Sequence, residues 1–177
     1  MNPNGAAQGS GATTTAREEA RTKLTQMGYD PKSFLEQSMA WGDQDSFRHL
    51  NNVNYFKYIE SGRIHFMSTL AHELGGEERA RDMLTGKSVS FILKDLSIVF
   101  KRPVNFPDTL LVAHRPHDLH PMHFSNSAIL WSYAQRAVVA TSESTLVWYD
   151  YDTLKKCDPG EKTHAALRGR THVSSKL

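Results

Sequence analysis

The sequence predicts an α+β domain in which one long helix is wrapped by an antiparallel sheet of about five strands. Two observations carry this expectation. Between Val53 and Leu74, the residues Phe56, Ile59, Gly62, Phe66, Leu70 and Leu74 recur at three- and four-residue spacing, the period of one helix face. Downstream, SVSFILKDLSIVFKRPV, TLLVAHRPH, HFSNSAILWSY and AVVATSESTLVWYDYD are β-branched and aromatic runs separated by Pro, Gly, Asp or His-rich breaks. Strand and helix patterns do not alternate, so the runs read as an antiparallel meander rather than a parallel sheet.

Each element has its local reasons. Residues 1–16, MNPNGAAQGSGATTTA, carry no charge and are rich in Gly, Ala and Thr, a composition expected to be disordered. REEARTKLTQM, residues 17–27, has helical composition and meets a stop at Gly28. SFLEQSMAW, from Ser33 to Trp41, is the expected first strand. Asn51 or Asn52 suits the N-cap of the long helix, because a short side-chain acceptor satisfies a free first-turn amide. Gly75-Gly76 supplies its C-terminal stop, and ERARDMLTG after it reads as a surface segment. Gly62 in mid-helix fits either a close helix-to-sheet approach or a tolerated glycine. The expected organisation is a tail plus short helix over 1–32, one domain over 33–157 and a C-terminal tail over 158–177.

Composition narrows the function. The 177 residues suffice for one sizeable core, and the formal net charge of +2 comes from interspersed Lys, Arg, Asp and Glu rather than from a basic block. A nucleic-acid partner is therefore not expected, and no apolar stretch approaches the ~20 residues that cross a bilayer. Cys157 is the single cysteine, which excludes an internal disulfide and leaves a zinc-thiolate cluster without ligands. The N-terminal residues lack the charged and apolar regions of a secretory signal. The chain closes on Ser175, Lys176 and Leu177 after a polar, basic segment, RGRTHVS. S-K-L in that position is the address read by the peroxisomal import receptor, so the expected location is the peroxisome, with a cytoplasmic pool as the lesser alternative.

Several chemistries can be set aside. No G-x-S-x-G elbow is present for a serine hydrolase. TGKS, at 85–88, ends like a phosphate-binding loop, but Arg81 stands where that loop needs its first glycine. His114, His117, His120 and His123 recur every third residue, yet a strand–loop–strand reading scatters their rings and makes them surface-loop histidines rather than a metal site.

The stretch WGDQDSFRHLNNVNYF, residues 41–56, is the densest in chemistry. It joins the first strand to the start of the long helix, where backbone amides lack intrahelical partners and the helix dipole favours negative charge. A carboxylate there, Asp45, could attack a carbonyl or activate water while the amides polarise the carbonyl oxygen. His49 and the asparagines could orient water or the carboxylate, and Asp43 could brace the turn. The alternative is that Asp and Asn are simply what turns and caps are made of.

The stretch WGDQDSFRHLNNVNYFKYIESGR resembles the signature of the hotdog-fold thioesterases of the 4-hydroxybenzoyl-CoA thioesterase type, with an aromatic residue, a G-D/E-x-D turn, a His-x-Asn-Asn segment and a tyrosine-rich helix. KDLSIVFKRPVNFPDTLLV is similar to that family's strand-Arg-Pro-Val-strand segment, so the resemblance covers roughly residues 36–152. It implies a hotdog fold, an acyl-CoA substrate, and homodimers or homotetramers with sites between subunits. By position, Asp45 matches the catalytic carboxylate, as nucleophile or general base, and His49 the histidine four residues on. The amide of Asn52 falls where the thioester carbonyl would be polarised, and Glu60 aligns with a helix acid that is the reserve carboxylate. Arg48, Asn51, Lys94 and Arg102 are the candidate substrate contacts, with Lys101 and Arg136 as further cations on the strands. Arg48 departs from the family pattern, in which glycine often precedes the histidine. Phe47 stands where plant acyl-carrier thioesterases place a catalytic asparagine, which argues against a carrier-protein substrate. Phe66, Trp131 and Trp148 either line an acyl pocket or fill the core. No cofactor or metal is implied, CoA being part of the substrate. Two other readings stay open: a hotdog enoyl-CoA hydratase, whose Asp and His are spaced five apart rather than four, and a non-catalytic acyl-CoA binder.

Overall fold

The computed structural model describes residues 10–171, with side chains from Thr15 onward. In chain order the elements are α1 (Ser10–Gln26), β1 (Leu35–Ser38), α2 (Asn52–Leu84), β2 (Val89–Phe100), β3 (Thr109–His117), β4 (His123–Ser132), β5 (Ala137–Asp150), β6 (Lys155–Lys156) and α3 (Glu161–Arg168). The sheet runs β1-β3-β4-β5-β2, with β6 added to β5, and every pairing is antiparallel. A hotdog fold, a long helix held in a curled antiparallel sheet, is the result.

Strand alternation sorts the core into layers. Leu110, Val112, Ala128 and Leu130 face Tyr55, Tyr58 and Ile59 of α2. Farther along the helix, Phe66 and Leu70 meet Phe91, Phe124, Leu146 and Trp148. On the opposite side of the sheet, Leu111, Ala113, Ile129 and Trp131 are covered by Ala16, Ala20 and Leu24 of α1. Phe66, Trp131 and Trp148 are therefore core residues. Because β3 is buried without interruption from Leu110 to His114, it reads in the sequence as a continuous apolar run rather than an alternating one.

Several boundaries differ from expectation. α1 begins at Ser10, so part of the stretch expected to be disordered is helical, and its alanines are what the outer sheet face accepts. The first strand is shorter than Ser33–Trp41, because Trp41–Asp43 forms a 3-10 turn instead. Gly75 and Gly76 break α2, Gly76 at φ 70, but the helix resumes to Leu84, and Ala80 and Met83 bury there. ERARDMLTG is thus helix with a core face. The expected C-terminal tail also packs: Leu167 of α3 is fully buried, and Lys162 Nζ donates to the Leu74 carbonyl oxygen at 2.7 Å. Arg170, 2% exposed, donates to Thr69 Oγ1 at 2.7 Å and pairs with Glu73 at 3.0 Å. Residues 1–9 of the N-terminal segment and Ser175, Lys176 and Leu177 lie outside the described residues.

His114 is the main correction. Rather than sitting in a surface loop, it lies on β3 with no exposure, between the sheet and α2. Its Nε2 is 3.1 Å from the Ile59 carbonyl oxygen and its Nδ1 is 2.8 Å from Asn126 Nδ2, so Nε2–H donates to the helix while Nδ1 accepts from the amide. Gly62 makes room for this: a Cβ there would stand 2.7 Å from Val112 Cγ1 and 2.8 Å from His114 Nε2. The other three are not all scattered either: His117 closes β3 and His123 opens β4, and the His120 and His123 rings stack with centroids 4.5 Å apart, though no group of three or more metal-ligating side chains occurs among the described residues.

Burial, with the charge of Arg63 second, pushes the His114 pKa down to about 3. The folded protein thus binds no proton where the unfolded chain, near pH 6.5, does. The histidine's contribution is fully present above pH 6.5 and is lost progressively as the pH falls toward 3, at about 1.4 kcal/mol per pH unit. Denaturant unfolding of wild type and His114→Gln between pH 7 and 5, above most carboxylate titration, should show a steep loss in the former and a flatter one in the latter. Parallel curves would exclude His114 as the source.

Candidate active site

The 3-10 turn Trp41–Asp43 and an isolated bridge between Gln44 and Leu50 fold residues 41–52 into a compact loop at the start of α2. Asp43 braces it. Its carboxylate accepts from the Ala40 amide at 2.8 Å and from the Tyr58 hydroxyl at 2.7 Å. Its carbonyl oxygen accepts from the Asn51 amide and from Asn54 Nδ2, both at 2.9 Å. Burial first, then the hydrogen bond to Asp43, holds the Tyr58 phenol well above its ordinary pKa, so it stays a donor.

Asp45 is differently placed. Its Oδ1 accepts from the amides of Phe47 at 2.8 Å and His49 at 3.2 Å, and its own amide donates to the His49 carbonyl at 2.8 Å. Oδ2 has no hydrogen-bond partner among the described residues. The carboxylate is oriented by backbone and half uncommitted.

At the helix start, the Asn51 side chain accepts from the Val53 amide at 3.0 Å and its carbonyl from the Asn54 amide at 2.8 Å. Asn51 is therefore the N-cap, one of the two expected positions. The amide of Asn52 is left without a partner among the described residues, one of the orphan donors that every helix N-terminus carries.

Asp45, His49, Asn52 and Arg102 line a common cleft of about 300 Å³, with Lys101 beside them. The structure thus gathers four of the candidate residues. Asn51 is committed to its cap. Arg48 is exposed and is not among the residues lining the cleft, and its carbonyl accepts from Asn105 Nδ2 at 3.1 Å. Glu60 lies two helical turns beyond Asn52, its side chain 64% exposed and 3.5 Å from Arg63 Nη2. Lys94 belongs to another depression, with His123 and Lys156. Within one chain, neither Glu60 nor Lys94 reaches the cleft.

Tyr55 was not among the sequence candidates. It lines the cleft, packs edge-on against Phe100 with ring centroids 5.0 Å apart, and its hydroxyl is pushed up to about 12, by burial first and then by the charges of Asp108 and Asp45. Its place three residues after Asn52, on the same helix face, is the signal that could have found it. Two large aromatics flank the turn in the open: Trp41 is 74% exposed and Phe47 77%.

A family model described as thioesterase-like superfamily matches residues 39–167. The chain belongs to that superfamily. It is a thioester hydrolase with a hotdog fold. Solved structures agree on the fold: the PA5185 protein from Pseudomonas aeruginosa strain PAO1 is 21% identical, with a TM-score of 0.67 over 85% of this chain and 97% of its own. The BH1999 gentisyl-coenzyme A thioesterase is 21% identical, TM-score 0.62, over 76% of this chain and 98% of its own. Slr0204, a 1,4-dihydroxy-2-naphthoyl-CoA thioesterase from Synechocystis, is 15% identical, TM-score 0.63, over 79% of this chain and 98% of its own. No curated protein matches the sequence.

The position where thioesterase relatives often carry glycine has a physical reading here. Arg48 is held at φ 64, in the left-handed region. That conformation costs a side-chain-bearing residue about 1 kcal/mol that glycine does not incur. Arg48→Gly should raise the midpoint of thermal unfolding, by up to about 1 kcal/mol in stability. A lower midpoint would show that the arginine side chain contributes more than its backbone costs.

Proposed function

We propose that this thioesterase hydrolyses acyl-CoA, with Asp45 as the carboxylate that attacks the thioester carbonyl or deprotonates the attacking water. The observation that carries this reading is the allocation of hydrogen bonds at the start of α2. Asn51 takes the Val53 and Asn54 amides, the Asn52 amide and Asp45 Oδ2 have no partner among the described residues, and Asn52 and Asp45 line the same cleft. A carbonyl oxygen accepting from that amide would be polarised by the helix terminus as its negative charge develops, an effect worth roughly two to three orders of magnitude for one such donor.

In one route Oδ2 bonds to the carbonyl carbon, the C–S bond breaks, CoA leaves as thiolate, and water then cleaves the acyl–aspartyl anhydride. In the other, Oδ2 takes the proton of a water whose oxygen attacks the carbonyl directly. Both give free acid and CoA, and neither needs a strong general acid, because a thiolate leaves readily. His49 is assigned to orient the water, and Arg102 to meet the anionic part of CoA. Two of the fold neighbours described above carry CoA thioesters in their names, which supports the substrate class.

Assembly into a homodimer or homotetramer is part of the proposal. β2 is a twelve-residue strand at the sheet edge, and it exposes Leu93, Val99 and Phe100. Along α2, Val53, Phe56 and Ile64 are exposed as well. An open edge with apolar flanks is suited to pairing with a second copy, and Glu60, beside that surface, is the reserve carboxylate.

Thiol release from a panel of short, long, branched and aromatic acyl-CoAs tests the reading. Asp45→Asn keeps an oxygen for the Phe47 and His49 amides but removes the charge, and kcat should fall by about two orders of magnitude or more with folding intact. Near-normal turnover would move the role to Glu60. For the address, deleting Leu177 from a protein tagged at its N-terminus should leave it cytosolic. Continued punctate import would overturn the assignment of Ser175, Lys176 and Leu177.

A further inference from the structure

The thioester cleft does not end at Arg102. Arg102 and Pro103 also wall a second depression, of about 550 Å³, that continues past Asn105 to Asp108 and Gln135. This one shares Pro107, Asp108 and Ala134 with a third, of about 560 Å³, which reaches Tyr133 and Arg136 in the β4–β5 turn. Three depressions with shared walls form one surface groove leading away from Asp45.

The groove is built in advance. Asp108 accepts from the Thr109 amide at 2.7 Å, the Ala134 amide at 3.1 Å and the Ser132 hydroxyl. Gln135 Nε2 donates to the Pro103 carbonyl at 2.7 Å, tying the β4–β5 turn to the loop after β2. Between its ends the surface is largely apolar, with Met39, Pro107 and Ala134. Cations stand toward the ends, at Lys101 and Arg102 beside the cleft and at Arg136 beyond, while the one carboxylate between them, Asp108, has both oxygens engaged by the donors just named.

Arg136 itself is held against its backbone preference, at φ 49. Glycine, or Asn and Asp, is the usual occupant of that region. The side chain has no buried role to account for this: it is 53% exposed, and its one ion pair among the described residues, with Glu19, is 3.6 Å long. A strained position kept for a long cation in an open groove points to a ligand rather than to the fold.

We infer that the groove receives the CoA arm, with the pantetheine chain along the apolar stretch and Arg136 taking a phosphate of the nucleotide. The inference rests on the acyl-CoA thioesterase reading and names the part of the substrate this surface meets. CoA is the anionic, partly solvated half of such a substrate, and it suits an open groove with cations at its ends. A hydrocarbon acyl chain has no use for Arg136 and is better served by enclosure.

Calorimetric titration of CoA into wild type, Arg136→Gly and Arg136→Gln is the test. Loss of one charge-assisted contact should weaken CoA binding about tenfold in both variants. Glycine relaxes the turn and glutamine keeps a long polar side chain, so agreement between them separates the charge from the backbone. The ratio of kcat/KM between the best acyl-CoA and the matching acyl-pantetheine should drop by a similar factor, because the truncated thioester never reaches Arg136. Equal CoA affinity in all three proteins would overturn the groove assignment while the thioesterase reading stands. A changed acyl-length preference with CoA affinity intact would overturn it too, by giving the groove to the acyl chain. Wild type that neither binds CoA nor releases thiol would overturn both.

Discussion

The close approach of α2 to β3 is the constraint on which the rest of the molecule depends. It exists because residue 62 has no Cβ, so that Val112 and His114 can press against the helix and the imidazole can reach the Ile59 carbonyl oxygen. A hydrogen bond in a dry interior between a neutral ring and a helix carbonyl is directional, and it fixes both the depth and the axial position of α2. Gly62 lies ten residues from Asn52, about 15 Å along the axis. Pinning the helix at its middle therefore sets where its amino end meets the loop after β2. There, the Leu50 amide donates to the Val104 carbonyl at 2.7 Å and Tyr55 packs on Phe100, and the cleft has its two walls.

Within that frame the crowded turn is a matter of allocation. Two aspartates two residues apart have opposite fates: Asp43 spends both its carboxylate and its carbonyl on the loop, whereas Asp45 is held by one oxygen and keeps the other open. The asparagines divide in the same way. Asn51 serves the cap, Asn54 ties its side chain to the Asp43 carbonyl, and Asn52 contributes a backbone amide that the other two leave unclaimed. A turn with fewer polar side chains would have to satisfy itself with the groups that here remain available.

Where a single periodic signal governs an element, the sequence makes it plain. The apolar stripe through Ile59, Phe66 and Leu70 identifies α2, although Phe56, read as part of it, is exposed and Tyr55 and Tyr58 take the core instead, and four β-branched runs identify the meander. That Asp45, His49 and Asn52 share one cleft was legible because sequence neighbours in a turn stay neighbours in space, and Arg102 joins them two residues past the end of β2. What failed depends on contacts that no local pattern encodes. His114 looks like one of four evenly spaced loop histidines, and only the pairing of Ser33 Oγ with its carbonyl and amide, both at 3.0 Å, and of Asn126 with its ring reveals a core position. α3 is short and polar, and it belongs to the domain through Leu167 and the burial of Arg170. Gly75-Gly76 has the look of a terminus, yet the helix resumes because Ala80 and Met83 still find the core. Glu60 and Lys94 are acids and bases at suggestive positions, but one chain keeps them apart from the cleft.

The helix α1 stands outside the stretch shared with the thioesterase superfamily, which starts at residue 39. It nevertheless seals the outer side of β3 and β4, with Lys23 over the Trp131 ring at 5.2 Å, Arg21 over Phe34 at 5.1 Å and Arg17 paired to Glu36 at 2.9 Å. The sheet is consequently sided. A chain trimmed to the family's own boundaries would present Leu111, Ala113, Ile129 and Trp131 to water as one sticky patch, the kind of surface that drives precipitation. The cover for that face comes from residues ahead of the stretch that the superfamily model matches.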